Sequence, residues 1–181
     1  ELQKKRINLN DVILFALRDI KTQIMSGNLK LVFKNNEKNK DIFVDADIER
    51  LSQVISNLLS NAVKFTESGT ISVSAMILKN GEEDIDDSIH RRRIKNLDED
   101  EDEVVVSIKD TGTGIDPEIF KSLFSKFVTK SFDGTGLGLF LSKSIIEAHG
   151  GKIWAKNNED GKGATFAFSM PIVSNKEIRK Y

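Results

Sequence analysis

The sequence predicts an α+β fold: a two-layer sandwich of one mixed, mainly antiparallel sheet with about five strands and three main helices on one face. Two observations carry that expectation. Segments alternate as helix, two strands, helix, two strands, short helix, helix, two strands, so strand pairs outnumber strand–helix–strand repeats. Apolar residues switch between helical and alternating spacing at breaks made of Gly, Asn, Asp and Ser. The chain is 181 residues long. A single domain of that size buries about 70% of the surface its unfolded chain exposes.

The first helix is expected over residues 10–25. Asn10 or Asp11 caps it, and Val12, Ile13, Ala16, Leu17, Ile20 and Ile24 recur at helical spacing until Ser26-Gly27-Asn28 stops it. Residues 29–34 and 42–45 alternate as strands do, with the charged residues 35–41 as the turn between them. A second helix covers residues 47–65, and its apolar stripe is Leu51, Val54, Ile55, Leu58, Leu59 and Ala62. Glu67-Ser68-Gly69 ends it. Residues 71–78 form a strand with Ile71, Val73, Ala75 and Ile77 on one face. Residues 104–109 form another, which Val104, Val105 and Val106 mark as buried on both faces. Asp116-Pro117-Glu118 starts a helix with a cap, a first-turn proline and an acid at the positive end, and Ile119, Phe120, Leu123, Phe124 and Phe127 follow. Beyond a glycine-bearing loop, residues 139–149 form the last long helix, closed by Gly150-Gly151. Residues 152–156 and 164–170 make a closing hairpin around a turn at 157–163.

Composition narrows the chemistry. The chain has no cysteine, which excludes a disulfide framework, a thiolate nucleophile and Cys-ligated metal. Two histidines do not make a multi-His metal centre. A net charge of -1 argues against nucleic acid as a partner held by bulk charge. No apolar run approaches the roughly 20 residues of a membrane span. The polar start Glu1-Leu2-Gln3-Lys4-Lys5-Arg6 lacks a signal peptide's apolar stretch, and a first residue other than Met suggests a piece of a longer chain. Residues 79–103 hold His90-Arg91-Arg92-Arg93 and then an acidic run from Asp98 to Glu103. They are expected to be a solvated, partly mobile insertion on a hairpin, with an interaction role as the alternative. Residues 174–181 are expected as a polar tail.

Three groups of residues carry chemistry. On the second helix, Asn57, Asn61 and Lys64 share a face that flanks the apolar stripe. An amide oxygen suits Mg²⁺, which takes few protein ligands, and a lysine suits phosphate. An exposed polar helix face is the plain alternative. Next, Asp110-Thr111-Gly112-Thr113-Gly114 ends an apolar strand. A carboxylate there can accept a hydrogen bond from an exocyclic amine, and glycines allow a ligand close to the backbone. A tight turn is the plain alternative. Third, the alternate glycines of Gly134-Thr135-Gly136-Leu137-Gly138-Leu139 precede a helix, where exposed N–H groups attract phosphate. The spacing fits neither the Walker loop nor the dinucleotide fingerprint.

Taken together, these residues resemble the ATP-binding catalytic domain of sensor histidine kinases. Asn57-Leu58-Leu59-Ser60-Asn61-Ala62-Val63-Lys64-Phe65 looks like the N box, and Asp110-Thr111-Gly112-Thr113-Gly114 like the G1 box. Leu123-Phe124-Ser125-Lys126-Phe127 looks like the F box, and Gly134 to Leu139 like the G2 box. Gly161-Lys162-Gly163-Ala164-Thr165-Phe166 looks like the last glycine box. The resemblance runs from about residue 8 to residue 171.

It implies a Bergerat-type sandwich over residues 9–173 that binds ATP and Mg²⁺. Asn61 would ligate the metal. Asn57 would support the phosphates or a metal-bound water, and Lys64 would contact phosphate. Asp110 would bind the adenine amine, with Thr165 assisting through water, while Gly112, Gly114, Ile115 and Phe65 would line the base. Residues 127–138 would be the ATP lid, with Phe124 and Phe127 anchoring its start. Thr129, Gly134, Thr135, Gly136, Leu137, Gly138 and Leu139 would face the nucleotide, and Lys130 would join Asn57 in catalysis. Lid length and residues such as Phe65 and Val128 vary in the pattern, which leaves individual lid contacts open.

The resemblance also sorts the reaction. Gyrase-type and Hsp90-type ATPases of the superfamily carry Glu where this chain has Asn57. A glutamate can take up a proton from water or a hydroxyl; an asparagine cannot. A histidine acceptor needs less help, because neutral imidazole is already nucleophilic. The implied reaction is therefore γ-phosphoryl transfer to a histidine on a separate, dimerising phosphoacceptor domain of the parent, feeding a response regulator. Neither histidine here is followed by the acidic residue of that domain's motif: Arg91 follows His90 and Gly150 follows His149. His149 reads instead as a cationic or capping residue at a helix end. Residues 1–8 would be the last stub of the preceding dimerisation helix, the isolated domain would be monomeric, and it would lie in the cytoplasm whether or not the parent is anchored. The alternatives are a degenerate nucleotide-binding scaffold and a gyrase-like or Hsp90-like ATPase.

Overall fold

A computed structural model describes residues 2–24, 28–34, 41–79, 102–129 and 134–173. Among them the elements run β1 (Lys5–Asn8), α1 (Leu9–Ile24), β2 (Leu29–Lys34), β3 (Phe43–Ala46), α2 (Ile48–Lys64), β4 (Gly69–Leu78) and β5 (Glu103–Asp110), then α3 (Pro117–Phe120), α4 (Gly138–Ala148), β6 (Lys152–Asn157) and β7 (Ala164–Pro171). Five strands form one sheet in the order β2-β4-β5-β7-β6. Only β2 and β4 run parallel in it; the other neighbours are antiparallel.

Register explains the single core. Val73 pairs with Ile108, Ala75 with Val106, and Val106 with Phe168, so one sheet face is continuously apolar. That face joins the buried stripes of α1, α2 and α4 in one cluster. The α2 stripe is buried at all six expected positions. Asp47 caps α2, its Oδ1 accepting the Arg50 N–H at 3.2 Å. Among the described residues no helix is long and apolar enough to cross a membrane.

Three features depart from the expectations. Residues 5–8 are not the end of a helix but strand β1, paired antiparallel with β3 from Lys5–Ala46 to Asn8–Phe43. The strand brings Ile7 onto the core, and Asn8 then caps α1, its side-chain oxygen accepting the Asn10 N–H at 3.0 Å. Second, β2 and β3 do not pair with each other; β2 lies parallel to β4 at the sheet edge. Third, α3 stops after one turn. Leu123 then turns inward with Ile115 and Ala164 to form a second, small core, against which Phe124 packs.

Strands β4 and β5 pair as far as Leu78 and Glu103, so the intervening chain joins two adjacent strand ends. Residues 80–101 and 174–181 lie outside the described residues, and with them the expectations for the insertion and the tail.

Candidate functional site

At the last residue of β5, the Asp110 side chain sits 3% exposed. Its Oδ1 accepts the Gly112 N–H at 2.8 Å and the Ala164 N–H at 3.3 Å. Burial pushes its pKa up, while those two N–H groups pull it back. Backbone crowds this carboxylate from two sides. A Cβ on Gly163 would overlap the Asp110 carbonyl, and a Cβ on Gly112 would overlap the Phe65 carbonyl. The Thr113 N–H donates to that same Phe65 carbonyl at 3.1 Å, so the loop after β5 is pinned to the end of α2.

Two adjacent asparagines in the β6–β7 turn complete this end, and neither stood out in the sequence. Asn157 brackets Ile115: its Oδ1 accepts the Ile115 N–H at 2.6 Å and its Nδ2 donates to the Ile115 carbonyl at 2.9 Å. Gly114, at φ +76°, makes the turn that brings Ile115 there. Asn158 is 6% exposed. Its Nδ2 donates to the carbonyls of Asp110 at 2.7 Å and Lys162 at 2.6 Å, and its Oδ1 accepts from the Thr165 hydroxyl at 2.7 Å.

The position of Thr165 corrects the expectation for that residue. Thr165 pairs with Lys109, the neighbour of Asp110 on β5, so strand alternation turns it to the opposite face from Asp110. Its hydroxyl proton is committed to Asn158. Ala164, through its backbone N–H, is the β7 residue that meets the carboxylate.

About two turns back along α2 from its C-terminal end, half-buried Asn57 faces the start of α4. Its Nδ2 donates to the Ser142 hydroxyl at 3.0 Å, and a Cβ on Gly138 would overlap its Oδ1. The glycine therefore lets the helix start touch Asn57. Leu137 at the cap of α4 supplies no side-chain hydrogen bond to the first turn. Gln53, Leu141 and Ile145 complete the rim of a shallow depression around Asn57, Gly138 and Ser142. Asn61 is half-exposed one turn further along, with Lys64 and Phe65 exposed beyond it. Thus Asn57 and the glycine-bearing helix start, far apart in sequence, come together.

The segment expected as a lid is described at residues 127–129 and 134–138. Its ends are clipped: the Phe127 N–H donates to the Gly136 carbonyl at 3.0 Å. Phe127 has φ +63°, a left-handed conformation unusual for a bulky residue. At 73% exposed it is no buried anchor; its hold on the lid base is through backbone, and Phe124 is the packed aromatic. Lys126 lies over the Phe140 ring at 4.9 Å, tying the same region to α4. Thr129, Gly134, Thr135 and Leu137 are described residues within this segment, and Leu139, just beyond it, packs on the core. Lys130 lies outside the described residues.

Of the two roles expected of His149, the structure shows the capping one: it is the buried C-cap of α4. It is 4% exposed, its Nε2 accepts the Asp47 N–H at 3.0 Å, and its Nδ1 lies 2.8 Å from the Ile145 carbonyl. A carbonyl only accepts and an amide N–H only donates, so the two bonds define a neutral ring protonated at Nδ1.

A buried carboxylate at a glycine-lined strand end, and an amide-bearing helix met by a glycine-bearing helix start, make up the candidate site. The family described as histidine kinase-, DNA gyrase B-, and HSP90-like ATPase matches residues 46–174, and the chain belongs to it. Its similar proteins narrow this further. It is 34% identical over 177 residues to the sensor histidine kinase ZraS of Salmonella typhimurium, covering 97% of this chain and 33% of that protein. The chain thus spans a third of that relative's length. The catalytic domain of histidine kinase ThkA, in a nucleotide-free form, superposes with TM-score 0.73 at 32% identity, over 93% of this chain and 95% of that one. ThkA in complex with the response regulator protein TrrA superposes at 0.70 with 29% identity, over 95% and 42% of the two chains. Full-length ShkA in complex with AMPPNP superposes at 0.74 with 26% identity, over 96% and 32%.

Proposed function

We propose that this chain is the ATP-binding catalytic domain of a two-component sensor histidine kinase. It holds Mg-ATP in the cytoplasm and delivers the γ-phosphoryl group to a histidine on a separate, dimerising phosphoacceptor domain of its parent, from which a response regulator takes it. The observation that carries the reading is Asn57 standing against the start of α4, where Gly138 leaves room for its amide and, among the described residues lining the spot, none can take up a proton.

In this reading Asp110 accepts the adenine amine at the bottom of the base subsite, and its fixed backbone donors keep the carboxylate in one orientation. The first turn of α4 offers N–H groups to the phosphates. Asn57 is oriented by Ser142 so that its Oδ1 looks toward that turn. Lys64 and Lys130 neutralise phosphate oxygens. Among the described residues no three acidic or histidine side chains are grouped to hold a metal. The amide oxygen of Asn61 suits Mg²⁺ in a shell otherwise made of phosphate and water. Mg²⁺ when bound supplies charge neutralisation at the phosphates. The chain's own part is positioning: base at one end, phosphates at the other, with Asn57 where a glutamate could activate water.

Calorimetric titration with ATP, with and without Mg²⁺, tests this. Asp110→Asn is expected to weaken binding by about tenfold or more, because a charge-assisted hydrogen bond is replaced by a neutral one. Asn61→Asp is expected to change the Mg²⁺ dependence. Labelled phosphate is expected to move to an added histidine-bearing hairpin domain. Fast phosphate release without that domain would make the chain an ATPase, and absence of ATP binding would make it a scaffold.

A further inference from the structure

Helices α2 and α4 pack against each other and are fastened at two points. One is the Asn57–Ser142 hydrogen bond beside the depression. The other is the Asp47–His149 bond, ten residues back on α2, about 15 Å along its axis. There the C-terminal end of α4 meets the N-terminal end of α2. His149 reaches across 102 positions of sequence with both ring nitrogens engaged by backbone: Ile145 of its own helix holds the ring, and Asp47 is what the ring holds.

We propose that His149 is a positioning residue for the nucleotide's phosphates. By accepting the Asp47 N–H it fixes the packing of α4 on α2, and with it the distance between the glycine-bearing start of α4 and Asn57. The inference rests on the nucleotide reading of that site. The side chain touches no substrate; it acts through the two helices. A shift of about 1 Å between groups that must act on one phosphate is enough to cost up to about a hundredfold, so the remote bond matters at the site. Asp47 is a junction in its own right. Its Oδ2 accepts the Gln3 N–H at 3.0 Å and its Oδ1 the Arg50 N–H, and these bonds, Gln3 first, hold its pKa low. The segment ahead of β1 is therefore fastened to the same cap that His149 holds.

The base subsite is built on β5, β7 and the β6–β7 turn, away from this clamp. That separation gives the test its selectivity. The full chain and its variants are titrated with Mg-ATP by calorimetry and with adenosine by NMR. His149→Phe, which fills the space but offers no acceptor, is expected to weaken ATP by about tenfold. Adenosine binding is expected to stay within about twofold, as for independent sites. His149→Gln, whose amide oxygen accepts the Asp47 N–H, is expected to recover most of the ATP affinity. Asp47→Pro, at a φ of -79° that proline accepts, removes the N–H together with the side-chain bonds to Arg50 and Gln3, whereas Asp47→Ala removes only the side-chain bonds. A selective ATP loss in the proline variant beyond that of the alanine variant is expected, and equal losses would overturn the inference; this comparison decides the matter if His149→Phe does not fold. Parallel loss of ATP and adenosine, loss of neither, or no recovery with glutamine would overturn the inference. Failure of the unmodified chain to bind ATP would overturn the nucleotide reading and this one with it.

Discussion

Asp110 sets stability against binding. Its pKa is raised above the ordinary 3.8 by burial, so the folded state prefers the protonated side chain. A raised acid favours the fold below its unfolded pKa and opposes it once the pH exceeds its folded pKa. At neutral pH the carboxylate therefore costs stability. Asp110→Asn, which keeps an oxygen for the Gly112 and Ala164 N–H groups, should raise the thermal midpoint at pH 7 while weakening ATP. The gain should shrink as the pH falls toward 3.8. A midpoint that drops at pH 7 would contradict this. Asp110 and Asn57 were legible in the sequence because glycines and a helical stripe frame them. That Thr165 pairs with Lys109 and bonds Asn158 is not legible in the sequence, because glycine spacing does not reveal strand register and one residue reverses the side a chain presents. Asn157, Asn158 and Ser142 carry no local signal: each is an ordinary turn or helix residue until its distant partner is known.

Among the elements, α4 makes the clearest wager. Alanine is better than glycine inside a helix by about 1 kcal/mol. At Gly138 the added methyl would overlap the Asn57 amide. Gly138→Ala should thus leave the midpoint of unfolding unchanged or raised, yet weaken ATP by about tenfold by moving Asn57 or the helix start. Gly161→Ala is the control, since nothing lies within 4 Å of the added methyl; its φ of +73° costs stability alone. Equal losses of ATP affinity in the two variants would show that Gly138 has no special place. Long elements with sustained periodicity, α2 above all, were readable to within a residue. The pair β1–β3 was not, because four residues do not establish a period. Nor was the parallel β2–β4 pairing, since edge position and direction depend on the path of the crossover and not on the strand's own residues.

Among the described residues, the core is a single apolar cluster with a small satellite, and no three acidic or histidine side chains are grouped to hold a metal. Chelation with EDTA should leave the thermal midpoint unchanged in the absence of nucleotide. Mg-ATP at about one hundred times its dissociation constant should raise stability by about 2.7 kcal/mol, a rise of roughly 5–11 °C for a domain of this size. A midpoint that falls on chelation alone would point to a structural ion. The α+β class, the main sheet and its helices on one face were legible from the order of periods. The amino-terminal strand was hidden by its charged, short sequence.

That strand makes the domain a lever. Lys5 to Asn8 lie antiparallel to β3, and β3 leads directly into the cap of α2. Tension or torque applied ahead of residue 5 is borne first by four backbone pairs and the Gln3–Asp47 bond, and only then by the helix that carries Asn57 and Asn61. The domain is gripped from its amino end by a short, peelable ribbon, so whatever moves that end pulls on β3 and the cap of α2 through it.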